Sequence, residues 1–226
     1  MKLTTRRLIC YPSWNNVVPA LTAPGWTKVP LLNLGNNQDS PNDKAYTNWK
    51  GPAIIDWEPP LPDLKKWATL LHMASPGDIA YGIDPGVNHP MYDRQVGLIA
   101  KALKLSGGYA SMAYDIYPAA REDPAYWSMR VGYRLIRLRQ IQGMNKTDSV
   151  VLVSPLDQHA PEPYRNPVVL RDEWLERIAR AVGGDLPLSV CIFAGAASAD
   201  ARAVVDPAVV RLANMIDAAG KIGGVE

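Results

Sequence analysis

Two carboxylates, Asp56 and Glu58, lie two residues apart at the end of the apolar segment 52–55 and are followed by two prolines. In a β-strand, alternate side chains point to the same face, so this spacing predicts that both acids share one face while Trp57 lies on the other. Carboxylates that lie close together raise one another's pKa, which is what a general acid needs near neutral pH. The segment therefore predicts an acid pair at a strand end, with two solvated surface acids as the alternative.

Other strand-like segments of the chain also end in polar or aromatic side chains. In (β/α) barrels, catalytic groups come from the carboxyl ends of several different strands. We therefore predict that the following residues bind substrate beside the acid pair: Tyr11, Asn33, Asp84, Tyr114, Asp115 and Tyr117. If the reaction needs a second carboxylate, Asp84 or Asp115 would supply it.

The elements that would position these residues alternate between strand and helix patterns. Seven strands are predicted, within 6–11, 29–34, 52–58, 78–84, 109–117, 149–154 and 188–194. The segment 124–142 has helical spacing, with Trp127 and Ile136 on the apolar face that should pack against the core and Arg130 on the other face, which predicts a solvated basic face or, alternatively, a contact with a partner or phosphate. Helical spacing is also present in 63–73, 93–106, 172–182 and from Asp206 onward. This alternation predicts an α/β protein with a parallel sheet. No nucleotide-binding glycine loop follows any strand, which favours a closed sheet over an open one. We predict a small or irregular TIM-type (β/α) barrel of about seven parallel strands, as a single domain over 1–226.

Composition limits the function classes. The chain has 226 residues, 47% of them hydrophobic, and a net charge of +2, which predicts one globular domain without a nucleic-acid partner. No apolar run reaches the roughly 20 residues of a membrane span, and no signal peptide is recognised, so we expect cytoplasmic synthesis. Cys10 and Cys191 lie in apolar strand segments and are predicted to be buried free thiols.

The segment Ile54-Ile55-Asp56-Trp57-Glu58, followed by prolines, resembles the motif of the hyaluronidase family of glycoside hydrolases. In that family an apolar strand ends in Asp-Trp-Glu at the active-site mouth of a barrel that is one strand short of eight. The segment 112–118 is similar to the family's aromatic strand that ends in a proline. The resemblance implies that Glu58 is the general acid. It also implies that Asp56 helps to position the substrate's N-acetyl group, whose carbonyl oxygen is the nucleophile. With two cysteines the chain lacks the family's disulfides, and it is shorter than a family member.

The resemblance implies a glycoside hydrolase-like protein that acts on or binds an N-acetylhexosamine-containing polysaccharide, and we expect no metal or other cofactor. One alternative is a catalytically inactive barrel that binds carbohydrate, or that has assembly partners in a larger complex, associated with a virion or a cell wall. A second alternative is a Mg²⁺- or Ca²⁺-dependent hydrolase or lyase that uses Asp56, Glu58, Asp84 and Asp115 as oxygen ligands. The three histidines have no metal-ligand spacing, so no zinc site is predicted.

Overall fold

A computed structural model describes residues 7–12, 19–33, 53–56, 79–83, 110–118, 122–123, 125–133, 136, 149–183 and 189–222. Two of the predicted site residues, Glu58 and Asp84, lie outside the described residues. The helices predicted for 63–73 and 93–106 lie outside them as well.

The described strands alternate along the chain with helices in its second half. The strands are β1 (Arg7–Pro12), β2 (Thr27–Asn33), β3 (Ala53–Asp56), β4 (Ile79–Ile83), β5 (Ala110–Asp115), β6 (Ser149–Val153) and β7 (Ser189–Phe193). The described helices are α1 (residues 125–133), α2 (Asp172–Gly183) and α3 (Ala199–Ile222). None of the described helices combines the length and the apolar character that a membrane crossing requires.

Four strands form a parallel sheet in the order β6-β7-β1-β2. Ile9 of β1 registers with Ile192 of β7 on one side and with Lys28 of β2 on the other. Parallel pairing also joins β2 to β3, β3 to β4, β4 to β5 and β5 to β6. The predicted α/β class with parallel strands is therefore confirmed. Because the strands are parallel, their carboxyl ends meet at one edge, which we call the carboxyl edge.

Alternate strand residues belong to two separate hydrophobic clusters. The helix-facing cluster joins Ile9, Val151 and Ile192 to buried residues of all three helices, among them Trp127, Trp174, Leu175, Val209, Leu212 and Ile216. The strand-lined cluster consists of Cys10, Val29, Leu31, Ile54, Val150, Leu152, Cys191 and Phe193. The period-two alternation of a strand explains why neighbours such as Ile9 and Cys10 fall into different clusters. Cys10 and Cys191 are buried and free, as predicted.

The helix α2 agrees with the helix predicted for 172–182. Its first-turn acids, Asp172 and Glu173, complement the positive end of the helix dipole. Trp174, Leu175 and Ile178 recur at helical spacing and are buried.

Helix α3 begins at Ala199, seven residues before the predicted start at Asp206, and that prediction was wrong. Ser198 is the reason: its Oγ accepts the N–H of Ala201 at 3.1 Å and its carbonyl accepts the N–H of Arg202 at 2.9 Å. These contacts satisfy backbone donors that the start of a helix otherwise leaves free. Pro207 is accommodated within the helix.

Helix α1 begins after Asp123, whose Oδ1 accepts the N–H groups of Ala125 at 2.7 Å and Tyr126 at 3.1 Å. Trp127 is buried, as its position in the predicted helix requires. Ile136, which the periodicity assigned to the core, is instead exposed, so that prediction was wrong. Helical periodicity shows that residues share a face, but not which face the rest of the chain covers.

Candidate functional site

The ends of β2 and β3 bring two of the predicted site residues next to each other. Asn33 and Asp56 are the last residues of these strands and are direct partners in the parallel register. Leu31 and Ile54, two residues earlier, are also partners, and both belong to the strand-lined cluster. By the period-two alternation, positions 33 and 56 fall on the face of the strand-lined cluster.

The end of β5 divides the predicted residues between the two faces. Asp115 registers with Leu152, which belongs to the strand-lined cluster, whereas Tyr114 registers with Val151, which belongs to the helix-facing cluster. Position 115 thus shares the face of positions 33 and 56, and position 114 lies on the opposite face.

Tyr11 also lies on the helix-facing side of its strand. It is two residues after Ile9, a member of the helix-facing cluster, and its side chain is buried. Burial raises the pKa of the Tyr11 hydroxyl above its usual value because the charged form loses its hydration. The structure therefore separates Tyr11 from the face on which Asn33, Asp56 and Asp115 are placed.

Tyr117 follows β5, and helix α1 holds its backbone. Arg130 Nη2 donates to the Tyr117 carbonyl at 3.0 Å. The same guanidinium binds Glu122 through two bonds, Nε to Oε1 at 3.0 Å and Nη2 to Oε2 at 2.8 Å. Only 15% of the Arg130 side chain and 12% of the Glu122 side chain are exposed. The prediction of a solvated face for Arg130 was therefore wrong, because this arginine is used to hold the segment after β5.

An aromatic cluster of Tyr117, Tyr164 and Phe193 lies at the carboxyl edge. The Tyr117 and Phe193 ring centroids are 6.3 Å apart, and Tyr164 meets Phe193 edge to face at 5.9 Å. Phe193 is buried, whereas Tyr164 is 36% exposed. Gly195 runs against these rings, since a Cβ built there would come within 2.6 Å of Phe193 and 2.9 Å of Tyr164.

The sequence predicted Tyr117 as a site residue, and it did not single out Phe193 or Tyr164, which form the aromatic cluster with it. Phe193 is the single phenylalanine of the chain and the last residue of β7, which was an available signal. Tyr164 belongs to the segment between β6 and α2, and no local pattern shows which strand end such a loop residue contacts.

The loop 154–171, which carries Tyr164, is closed at its base by hydrogen bonds. The N–H of Asp157 donates to the Val168 carbonyl at 2.9 Å, and the N–H of Leu170 donates to the Pro155 carbonyl at 2.9 Å. The Tyr164 carbonyl itself accepts the N–H of Ala197 at 2.7 Å. These backbone hydrogen bonds fix the conformation of the loop, so the position of Tyr164 does not depend on a bound ligand.

Ser154 connects this loop to β7. Its hydroxyl is fully buried, accepts the N–H of Leu156 at 3.2 Å and Gln158 Nε2 at 2.8 Å, and donates to the Phe193 carbonyl at 3.5 Å. With these partners, Ser154 acts as a structural link between the loop and the strand end.

The turn after β7 is held from the side of α3. Arg202 Nη1 donates to the Ala194 carbonyl at 3.0 Å and to Asp206 Oδ1 at 3.2 Å. Burial raises the pKa of the Asp206 carboxyl, although the positive charges of Arg202 and Lys28 oppose this shift. Within the described part of the chain, Arg202 Nε is a buried nitrogen without a hydrogen-bond partner.

Among the described residues, no group of three or more histidine, cysteine, aspartate or glutamate side chains is placed to hold a metal ion. The predicted metal alternative depends on Glu58 and Asp84, which are outside the described residues. That alternative stays a prediction.

Neither a family model, nor a curated protein, nor a solved structure matches the chain. The resemblance to the hyaluronidase family therefore stays a prediction, based on the motif around Asp56 and on the segment 112–118.

Proposed function

We propose that the protein is glycoside hydrolase-like and acts on or binds an N-acetylhexosamine-containing polysaccharide, with Glu58 as the general acid and Asp56 in support. The observation that carries the proposal is the register of Asn33 with Asp56 at the ends of β2 and β3. An amide and a carboxylate supply the donors and acceptors that sugar hydroxyl and acetamido groups need. Asp115 ends another strand at the same edge and on the same face.

The proposal includes an irregular TIM-type barrel of seven strands. It is supported by the parallel pairing of each strand with the next and of β7 with β1. A small barrel has an interior filled by side chains, which is the role of the strand-lined cluster in this proposal. The carboxyl edge would then be the mouth at which such barrels carry their active sites.

In the proposed reaction, Glu58 protonates the glycosidic oxygen while the substrate's acetamido oxygen attacks the anomeric carbon and displaces the leaving sugar. Water then attacks the anomeric carbon of the cyclic intermediate, Glu58 takes up the proton of that water, and the acetamido group is restored. Asp56 stabilises the positive charge that develops on the acetamido group. This substrate-assisted route is a recognised exception to the rule of two reacting carboxylates.

The aromatic cluster would add binding energy for the apolar faces of sugar rings. Tyr164 presents an exposed ring with a polar hydroxyl, a combination that suits a ligand with both apolar and polar surfaces. Its backbone is already fixed to Ala197, so little ordering entropy is lost on binding.

The test is hydrolysis of N-acetylhexosamine polymers by the purified protein, with and without EDTA. We expect hydrolysis that survives EDTA and falls by about 10²–10⁴-fold in Glu58→Gln, since general acid catalysis typically contributes that much. Glu176→Gln, a matched change on the exposed surface of α2, should leave the rate unchanged. Circular dichroism of each variant checks that it is folded.

Three other outcomes would favour the metal alternative, exclude Glu58 as the acid, or contradict the proposal. Loss of hydrolysis with EDTA would support the divalent-metal alternative, because chelation removes the ion. Equal rates in Glu58→Gln and the unchanged protein would rule out Glu58 as the general acid. A protein that neither cleaves nor binds any of these polymers contradicts the whole proposal.

The second candidate is a catalytically inactive carbohydrate-binding protein. The aromatic cluster favours it, because the exposed ring of Tyr164, which meets Phe193 edge to face, suits the apolar face of a sugar whether or not a catalytic acid is present. Such a protein would suit a virion- or cell-wall-associated complex with assembly partners. Calorimetric titration with oligosaccharides tests it. Tyr164→Ala should weaken binding about tenfold, equivalent to ~1.4 kcal/mol, and Val168→Ala, an exposed residue of the same loop, should not change it.

A further inference from the structure

Glu162, in the loop 154–171, has a backbone conformation that its residue type disfavours. Within the described part of the chain, it is the one residue other than glycine with a positive φ, at 50°. Residues with a side chain rarely adopt this left-handed conformation, which glycine adopts without strain. Pro163 follows, and a residue before a proline is normally extended. A glutamate kept at such a position indicates that its side chain has a use that glycine could not serve.

Glu162 closes a turn around Tyr164 with both its backbone and its side chain. The Glu162 carbonyl accepts the N–H groups of Arg165 and Asn166, both at 2.9 Å. The Glu162 carboxylate accepts Asn166 Nδ2 at 3.2 Å and Arg165 Nη1 at 3.5 Å. Pro163 and Tyr164 are therefore enclosed in a turn whose first residue binds the two residues that follow Tyr164.

The turn places the Tyr164 ring in a position that leaves little room for change. The Tyr164 carbonyl accepts the N–H of Ala197 at 2.7 Å, and the ring meets Phe193 edge to face at 5.9 Å. Gly195 leaves the space for this contact, since a Cβ there would come within 2.9 Å of the Tyr164 ring. A shift of the turn would therefore move the ring away from Phe193.

Stability does not account for the conformation of Glu162. Its side chain is 57% exposed, and the contacts of exposed charged groups contribute little to the free energy of unfolding. The ring that the turn holds, that of Tyr164, is 36% exposed, whereas its neighbour Phe193 is buried. A tyrosine fixed before binding offers a large contact surface and loses little conformational entropy to a ligand. Strained residues persist where a particular placement is used, and here the placement is that of an exposed ring.

We propose that Glu162 is a positioning residue, whose carboxylate holds the turn that fixes the Tyr164 ring against Phe193 as a ligand contact. Glu162 acts through Tyr164 and does not itself touch the ligand. The nature of the ligand, an N-acetylhexosamine oligosaccharide, rests on the proposed function. The hold on the ring does not depend on it.

The first test needs no ligand. The NMR chemical shifts of the Tyr164 ring protons, assigned by comparison with Tyr164→Ala, report the ring current of Phe193. Glu162→Gly permits the left-handed conformation but lacks the carboxylate, so we expect these shifts to move towards those of a freely exposed tyrosine. Glu162→Gln keeps an oxygen that can accept Asn166 Nδ2, and it should keep the shifts of the unchanged protein. Val168→Ala, at an exposed residue of the same loop, should keep them as well.

The second test is calorimetric titration with oligomers of N-acetylglucosamine. Glu162→Gly should weaken binding by about three- to tenfold, at most as much as Tyr164→Ala, whereas Glu162→Gln should bind as the unchanged protein does. Because Glu162 acts through Tyr164, the double variant Glu162→Gly with Tyr164→Ala should bind as Tyr164→Ala alone does. Circular dichroism checks that each variant is folded.

Unchanged Tyr164 ring shifts in Glu162→Gly would overturn the proposal, because the carboxylate would then not hold the ring. Full affinity in Glu162→Gly would also overturn it, and so would losses that add up in the double variant, since Glu162 would then act independently of Tyr164. If the unchanged protein binds none of the oligomers, the proposed function and the role of Tyr164 as a sugar contact are contradicted. The ring shifts then still decide whether Glu162 positions the ring.

Discussion

The two hydrophobic clusters differ, although the same strands build both. The helix-facing cluster is large, contains branched aliphatic residues and tryptophans, and joins the strands to all three described helices. Among the described residues, the strand-lined cluster is the smaller one; it contains both cysteines and ends at the carboxyl edge in Phe193. Neighbouring residues of one strand thus have different roles. One set packs against the helices, and the other set lines the face on which the candidate site residues Asn33, Asp56 and Asp115 are placed.

A buried leucine should contribute differently to the free energy of unfolding in the two clusters. Leu212→Ala in the helix-facing cluster should cost about 4–5 kcal/mol of unfolding free energy, at the upper end of the range for buried leucines. Leu152→Ala in the strand-lined cluster should cost about 2–3 kcal/mol, because Leu152 is the next-to-last residue of β6, near the carboxyl edge, where the surrounding side chains can close around the cavity. Denaturant unfolding measures both. Equal losses would show that the two clusters form one cooperative core of uniform packing.

The contact between α2 and α3 offers a sharper test of the helix-facing side. A Cβ on Gly183 would lie 2.5 Å from the Ile216 carbonyl oxygen, which is helix backbone and cannot move aside alone. Gly183→Ala should therefore destabilise the protein by about 1–3 kcal/mol, as overpacking does. At Gly220 the nearest atom would be 3.1 Å away, so Gly220→Ala should cost less. The reverse order in thermal unfolding would contradict this packing.

On the side of the candidate site, the Arg130–Glu122 pair should be worth more than an ordinary surface pair. Glu122→Gln removes the charge opposite a guanidinium that also holds Tyr117, and we expect a loss of about 1–2 kcal/mol. The exposed Arg165–Glu162 pair provides the control, and Arg165→Gln should change stability by about 0–1 kcal/mol. Similar values for both would mean that the hold on Tyr117 adds no stability.

The smallest expected effect on stability concerns Asp206, whose partner Arg202 also binds the turn after β7. Its pKa is raised by burial in the folded state, so the folded protein binds a proton more readily than the unfolded one. The stabilisation that this proton provides is complete below the unfolded pKa and is lost as the pH rises through the folded pKa. The free energy of unfolding should therefore fall less steeply with rising pH in Asp206→Asn than in the unchanged protein, in the acid range just above 3.8. An unchanged pH dependence in unfolding experiments would contradict the assignment.

Much of the described fold was predictable, because strand and helix patterns are local. The seven described strands lie where apolar runs predicted them, and α2 lies where helical spacing predicted it. The errors arose where side-chain contacts from elsewhere decide the outcome. Ser198 starts α3 earlier than Asp206 and Pro207 suggested. Arg130, predicted on a solvated face, is mostly buried because it donates hydrogen bonds to Glu122 and to the Tyr117 carbonyl.

The candidate site was predictable in part. The end of each strand identified Asn33, Asp56 and Asp115 as candidates, and parallel pairing places all three at one edge. Alternation along β5 shows that positions 114 and 115 lie on opposite faces, but not which face each one occupies. Only the register with β6 shows that position 115 shares the face of the strand-lined cluster. Phe193 and Tyr164 meet across 29 residues of chain, a distance over which local patterns carry no information.

By itself, the sequence determined which segments become strands and helices, and which residues end each strand, because these depend on hydrophobic period, caps and turn residues close in the chain. Only the tertiary structure decided which strand ends become neighbours and how the loop 154–171 brings Tyr164 to Phe193. It also decided that Trp127 and Val131 of α1 are buried in the helix-facing cluster whereas Ile136 is exposed. These outcomes depend on burial between segments far apart in the chain, and burial is a property of the whole packed structure.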